Sequence, residues 1–150
     1  MEDSKNIMKL YTLDQAINEA SRCLACEDAP CESGCPSEVP IKEFIRNIRF
    51  RNFRGAYHLI KSANIFGVSC ARICNSKETC KKKCTNEKLT SPIEIAKLQQ
   101  FVCDMYVGDH HYVEVGGRIG KKVAVIGSGP SGLSAAFDLY RNGIDVVVYE

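Results

Sequence analysis

Eight of the chain's nine cysteines fall into two tight blocks, and nothing else in the sequence narrows the fold as much. The first block is Cys23, Cys26, Cys31 and Cys35, followed at once by Pro36. The second is Cys70, Cys74, Cys80 and Cys84. The stretch 23–40 carries Pro30, Pro36, Pro40 and Gly34 but no apolar periodicity, so it has to wrap around something rather than pack by itself. Soft thiolates closely spaced in a loop suit the corner of an iron–sulfur cube, and eight thiols is the number two four-iron clusters require. A cysteine before proline ligates the other cluster in two-cluster ferredoxins, and Cys35-Pro36 has that form. The simplest partition gives one cluster Cys23, Cys26, Cys31 and one cysteine of the second block, and the other Cys35 with the rest.

Rival uses of the thiols fit less well. Structural zinc favours C-x2-C pairs, and only Cys23/Cys26 forms one. A disulfide framework needs an oxidising compartment, yet the N-terminus Met-Glu-Asp-Ser-Lys-Asn lacks an apolar signal region, so a cytoplasmic location is expected. Cys103 stands alone on an expected helix and reads as a packed core thiol. Arg22, Arg72 and Lys81-Lys82-Lys83 are placed to offset the negative charge of reduced clusters, although a lysine run is also what a solvated face looks like.

A net charge of +2 gives no reason to expect nucleic acid or a membrane surface as partner, and no apolar run approaches the ~20 residues of a membrane span. Residues 1–11 read as a mobile lead-in. Thr12-Leu13-Asp14-Gln15 has capping-box form and predicts a helix with Leu13, Ala16, Ile17 and Ala20 on one face. Pro40 suits a helix start, with Ile41, Phe44, Ile45 and Ile48 at i, i+3, i+4, i+7. Asn52 can cap a helix carrying Phe53, Ala56, Tyr57 and Ile60, and Gly67 is expected to end that region. Ser91-Pro92-Ile93-Glu94 predicts a further helix, from an N-cap at Ser91 to about Tyr106. Gly108, Gly116, Gly117 and Gly120 mark a linker over 108–121, in which His110 and His111 read as a solvent-exposed pair.

After the linker the pattern changes kind. Lys122-Val123-Ala124-Val125-Ile126 reads as a buried parallel strand, followed by Gly127-Ser128-Gly129-Pro130-Ser131-Gly132, a helix to Arg141 closed by Asn142-Gly143, and a second strand ending in Glu150. In that strand–turn–helix context Gly-x-Gly-x-x-Gly is a dinucleotide fingerprint. Gly127 permits the tight turn, Gly129 lets the backbone approach a pyrophosphate, and Gly132 allows close helix–strand packing. Pro130 and Ser131 stand at the helix start, where free amides favour an anion. Glu150 can accept from a ribose 2′-hydroxyl. The residues themselves leave FAD and NAD open. Two strands do not complete a doubly wound sheet, so 122–150 is expected to be the first part of such a domain within a longer polypeptide.

The pattern C-x2-C-x4-C-x3-C-P, the second block and the glycine fingerprint, in that order, resemble the group formed by the glutamate synthase small subunit and the N-terminal region of dihydropyrimidine dehydrogenase. The strings Glu19-Ala-Ser-Arg-Cys-Leu-Ala-Cys-Glu-Asp-Ala-Pro-Cys31, Phe50-Arg-Asn-Phe-Arg-Gly55, Val68-Ser-Cys-Ala-Arg-Ile-Cys74 and Pro92-Ile-Glu-Ile-Ala-Lys-Leu-Gln-Gln-Phe101 look closest to the flavin-bearing small subunits of bacterial dihydropyrimidine dehydrogenases. The resemblance implies an all-α, alpha-helical ferredoxin-like domain over 1–107 with two 4Fe-4S clusters. The first β-α-β of a Rossmann-type FAD-binding α/β domain, truncated at residue 150, would follow over 122–150. It also implies the ligands: Cys23, Cys26, Cys31 and Cys84 for one cluster, and Cys35, Cys74, Cys80 and Gln99 for the other, with Cys70 a bystander. The group usually has proline where this chain has Asn75, a change that leaves the ligand set intact.

The activity implied is a relay. Electrons from NAD(P)H, bound by a domain beyond residue 150, pass through FAD and both clusters to a catalytic FMN/iron–sulfur partner subunit that reduces uracil or thymine across the 5,6 bond. The other readings are a glutamate synthase small subunit, a ferredoxin-linked NAD(P)H oxidoreductase subunit, and a non-enzymatic zinc module.

Overall fold

The computed structural model describes residues 11–109 and 115–150, which fall into two compact units, 1–108 and 109–150. The lead-in through residue 10 and the pair His110/His111 lie outside the described residues.

The first unit is helical. Helix α1 (Leu13–Ser21) opens with the expected capping box: Thr12 Oγ1 accepts from the Gln15 amide at 3.3 Å, and Gln15 Oε1 accepts from the Thr12 amide at 2.9 Å. Its buried face is Ala16 and Ala20; Leu13, expected on that face, is exposed. Helix α2 (Ile41–Arg49) buries Ile41, Phe44, Ile45 and Ile48, the four residues its periodicity picks out. Each such side chain contributes about 1.5–3 kcal/mol of apolar burial. Helix α3 (Phe53–Ala63) is capped by Asn52, whose Oδ1 accepts from the Gly55 amide at 3.0 Å. It packs on α2, as does α1.

Two elements differ from expectation. Gly67 begins a helix, α4 (Gly67–Ile73), rather than ending a region. A Cβ at Gly67 would stand 2.6 Å from Ile60 Cγ2, so the missing side chain is what lets α4 approach α3 and pack along the next helix, α5. Helix α5 (Ile95–Met105) starts three residues later than the expected Pro92. The reason lies in competing partners: the Ile93 amide donates to Cys84 Sγ (3.4 Å), the Glu94 amide to Glu19 Oε1 (2.8 Å), and Ser91 Oγ accepts from Arg22 (2.7 Å). The amides of Ile93 and Glu94 and the Ser91 hydroxyl are therefore engaged outside the helix, and Glu94 becomes its N-cap, with Glu94 O accepting from the Leu98 amide at 3.1 Å.

In the second unit, β1 (Lys122–Ile126) and β2 (Asp145–Tyr149) pair in parallel, Lys122 opposite Asp145, with α6 (Pro130–Arg141) packed on both. Residues 116–121, expected as linker, are fastened to this unit: the Gly116 amide donates to Arg141 O, Ile119 to Gly143 O, and the Asp145 amide to Lys121 O. The strand 122–126, expected to be buried, alternates between exposed and half-buried, and Ile126, Val147 and Tyr149 are more than half exposed. Among the described residues no helix is long and apolar enough to cross a membrane.

Candidate metal centres and dinucleotide turn

The loop from Cys23 to Cys35 is shaped by two alanines in the left-handed region, Ala25 at φ 52° and Ala29 at φ 38°. For an L-residue that conformation costs about 1–2 kcal/mol, held in place by the surrounding contacts. At Ala25 the turn aims its amide at the Cys23 sulfur. The two cysteine blocks are then locked together. Gly34 abuts the backbone of Thr79 and Cys80, where a Cβ would stand 3.0 Å from Thr79 O. Lys83 Nζ donates to Ser33 O at 3.0 Å, and Asn86 Nδ2 to Arg22 O at 3.3 Å.

Two cavities result. Cys23, Cys26, Cys31 and Cys84 line the first, with Leu24, Ile45 and Ile93 as apolar wall; its free space is about 400 Å³, open solvent at the mouth included. Cys35, Cys70, Cys74, Cys80 and Gln99 line the second, about 990 Å³ on the same measure. Electrostatics divide the thiols in the same way. Burial pushes Cys31 up to about 12, and the neighbouring Cys23 and Cys84 add to the shift. Burial likewise raises Cys23, with Cys84 and Cys26 contributing, while the Ala25 amide and Arg49 oppose. Cys80 is raised by burial and by Cys35 and Cys74.

Were these neighbouring thiols to ionise together, positive charge between them would be needed to offset their repulsion. Among the described residues no three His, Cys, Asp or Glu side chains converge tightly enough to hold a single metal ion. Soft donors arranged about a volume rather than a point fit an iron–sulfide cube better than one zinc ion. Both candidates for the eighth ligand border the second cavity. Gln99, buried on α5, donates from Nε2 to Gly67 O at 2.8 Å, leaving Oε1 as its free donor atom. Cys70, on α4, accepts from Asn64 Nδ2 at 3.2 Å. Asn75 sits at φ −76°, within a proline's range, so its substitution does not alter the loop's path.

The basic residues expected to offset cluster charge are engaged in other contacts. Arg22 pairs with Glu19 at 2.7 Å, Arg72 with Asp104, Lys81 with Glu94, and Lys82 with Glu78. Arg49 has electrostatic reach to a cavity thiol, Cys23, and lines a pocket beside it with Lys42 and Arg46. The sequence offered no signal for it beyond its place on the polar side of α2. Cys103 is a fully buried core thiol, as expected. Lys61, buried nearby and bonded to Ile65 O, had no sequence signal.

In the second unit Gly127 adopts φ 98°, which only glycine takes freely, and a Cβ at Gly132 would stand 2.1 Å from Gly127 O. Gly129 faces open space. Pro130 opens α6, so the Ser131 and Gly132 amides have no carbonyl one turn back, and Leu133 is the first to find one, at Gly129. Ser128 donates from both its hydroxyl and its amide to Glu150 Oε2, each at 2.6 Å, which holds the Glu150 carboxyl below its usual range.

The comparisons with known proteins agree with this geometry. Residues 1–110 match the family described as dihydropyrimidine dehydrogenase domain II, 4Fe-4S cluster, and residues 125–150 match the NAD(P)-binding Rossmann-like domain. The chain is 45% identical over 142 residues to the NAD-dependent dihydropyrimidine dehydrogenase subunit PreT of Escherichia coli (strain K12), covering 93% of this chain and 34% of that one. It is 44% identical over 136 residues to the PreT homolog of Salmonella typhi, covering 90% and 33%. The chain thus spans about a third of the length of the curated relatives it matches. With a matching family model over most of its length and thiols gathered around two cavities, the chain belongs to the dihydropyrimidine dehydrogenase domain II iron–sulfur family.

Proposed function

We propose that this chain is the electron-input portion of a cytoplasmic pyrimidine-reducing dehydrogenase. The observation that carries the reading is the division of the cysteines between two cavities inside one helical unit, with a dinucleotide turn following in the same chain. Cys23, Cys26, Cys31 and Cys84 would hold one 4Fe-4S cluster, and Cys35, Cys74, Cys80 and Gln99 the other. Bound there, the clusters would supply one-electron transfer, and FAD the conversion from the two-electron chemistry of a nicotinamide.

The chain's own residues hold and tune these groups. The Ile93 amide donates to the Cys84 sulfur, and the Ala25 amide and the Arg49 charge both favour the thiolate of Cys23. Backbone at Gly127, Ser128, Gly129, Pro130, Ser131 and Gly132 would receive the FAD pyrophosphate at the start of α6, with Glu150 Oε1 accepting from the ribose. NAD(P)H would bind a domain beyond residue 150. A partner subunit carrying FMN and iron–sulfur centres would reduce uracil or thymine to the 5,6-dihydropyrimidine.

The test uses the full-length protein purified without oxygen together with its co-purifying partner. Uracil-dependent oxidation of NADH or NADPH is expected. Turnover on 2-oxoglutarate plus glutamine, with none on uracil, would overturn the pyrimidine assignment. For the ligand set, Gln99→Ala is expected to change the electron paramagnetic resonance signal of one cluster, and Cys70→Ala to leave both as they are. The reverse pattern would make Cys70 the ligand.

A further inference from the structure

A neutral amide oxygen is a poorer ligand for iron than a thiolate. Cys70 and Gln99 border the same cavity, so if the glutamine ligates, something has to hold the cysteine back. The loop between α3 and α4 is built to do so. Asn64 uses every polar atom of its side chain: Nδ2 donates to Cys70 Sγ at 3.2 Å and to Ser37 Oγ at 3.3 Å, and Oδ1 accepts from the Phe66 amide at 2.9 Å. With both donors and the acceptor engaged, the amide is fixed in one orientation. The loop is pinned from below, since Lys61 Nζ donates to Ile65 O and the Asn64 amide to Ile60 O. The same loop presents the other candidate. Asn64 O accepts from the Gly67 amide at 3.0 Å, and Gly67 O receives Gln99 Nε2 at 2.8 Å, turning the glutamine oxygen away from that bond.

We propose that Asn64 selects the donor set of the second metal centre: its amide tethers Cys70 to the α3–α4 loop, while the Gly67 carbonyl orients Gln99 to take the position. This rests on the reading of Gln99 as a ligand. Asn64 is a positioning residue, acting through Cys70.

The test compares Asn64→Asp, Cys70→Ala, the double variant and Gln99→Ala in the full-length, anaerobically purified holoprotein. Asn64→Asp keeps the acceptor for the Phe66 amide and loses both donors, so the loop keeps its shape while Cys70 is released. Two readouts are followed: the paramagnetic signals after reduction, and mass-spectrometric mapping of cysteines alkylated in the folded protein. In the wild type Cys70 is alkylated. In Asn64→Asp that labelling is lost and one cluster signal changes, and in the double variant the wild-type signal returns. Wild-type signals with Cys70 still labelled in Asn64→Asp would overturn the proposal, as would an unrestored double variant. The Gln99→Ala arm separates this failure from that of the underlying reading: a silent Gln99→Ala with an altered Cys70→Ala sinks the glutamine ligand itself.

Discussion

Replacing Gly67 by alanine sets helix propensity against packing. Propensity alone predicts a gain, but one below the ~1 kcal/mol of a helix interior, because Gly67 is the first residue of α4. Packing predicts a loss. The new Cβ falls 2.6 Å from Ile60 Cγ2 and 3.7 Å from both Cys103 Sγ and Gln99 Nε2. Ile60 and Cys103 are fully buried, so neither has room to withdraw, and α4 must shift. Forcing a methyl into a packed core costs about 1–3 kcal/mol. The Gly67 O to Gln99 Nε2 bond, worth about 1 kcal/mol, is strained by the same shift. Packing wins, with a net loss of about 1–2 kcal/mol. For a unit of roughly 100 residues each kcal/mol moves Tm by about 4–8 °C, so the variant should melt roughly 5–15 °C lower in anaerobic circular-dichroism scans. Adding Ile60→Leu removes the offending Cγ2 at constant volume and should recover part of the loss. A Gly67→Ala protein at or above the wild-type Tm would refute the reasoning.

Two further outcomes follow from single contacts. Asn52→Ala removes the acceptor for the Gly55 amide and should cost about 1 kcal/mol, read as a lower Tm in the same scans. Burial pushes Cys103 up to about 12 from an ordinary 9.0, so its contribution to stability is complete below pH 9 and falls as pH rises toward 12. The urea-midpoint gap between wild type and Cys103→Ala should therefore narrow between pH 9 and pH 11; a gap constant with pH would contradict the shift.

The sequence exposed what is local and periodic. The Thr12/Gln15 box, the Ile41–Ile48 stripe of α2, the Asn52 cap and the strand–turn–helix around Gly127 each depend on residues a few positions apart, and each is present in the structure. What it hid depends on distant partners. Ser91 and Glu94 carry sound helix-start chemistry, but Arg22 and Glu19, some seventy residues away, claim their groups first. Gly67 reads as a breaker until Ile60 and Gln99 are seen beside it. Spacing within the blocks pointed to a loop around a cluster, yet which second-block thiol joins Cys23, Cys26 and Cys31 came from the resemblance. The structure gathers Cys84 to that cavity through the amide of Ile93. Distance in sequence is a poor guide to the charges as well: Lys81 stands close to the cysteines in sequence and pairs with Glu94, whereas Arg49, more than twenty residues from Cys23, acts on it electrostatically.

The central claim is that one helical unit holds two separate four-iron centres. Metal and acid-labile sulfide analysis of the anaerobically purified full-length protein tests it directly, with the same protein carrying Cys23→Ala and Cys80→Ala as references. The account predicts about eight iron and eight sulfide from this unit, with each variant losing about four of each. Stoichiometric zinc without sulfide, or one substitution emptying both cavities while the other empties neither, would contradict it.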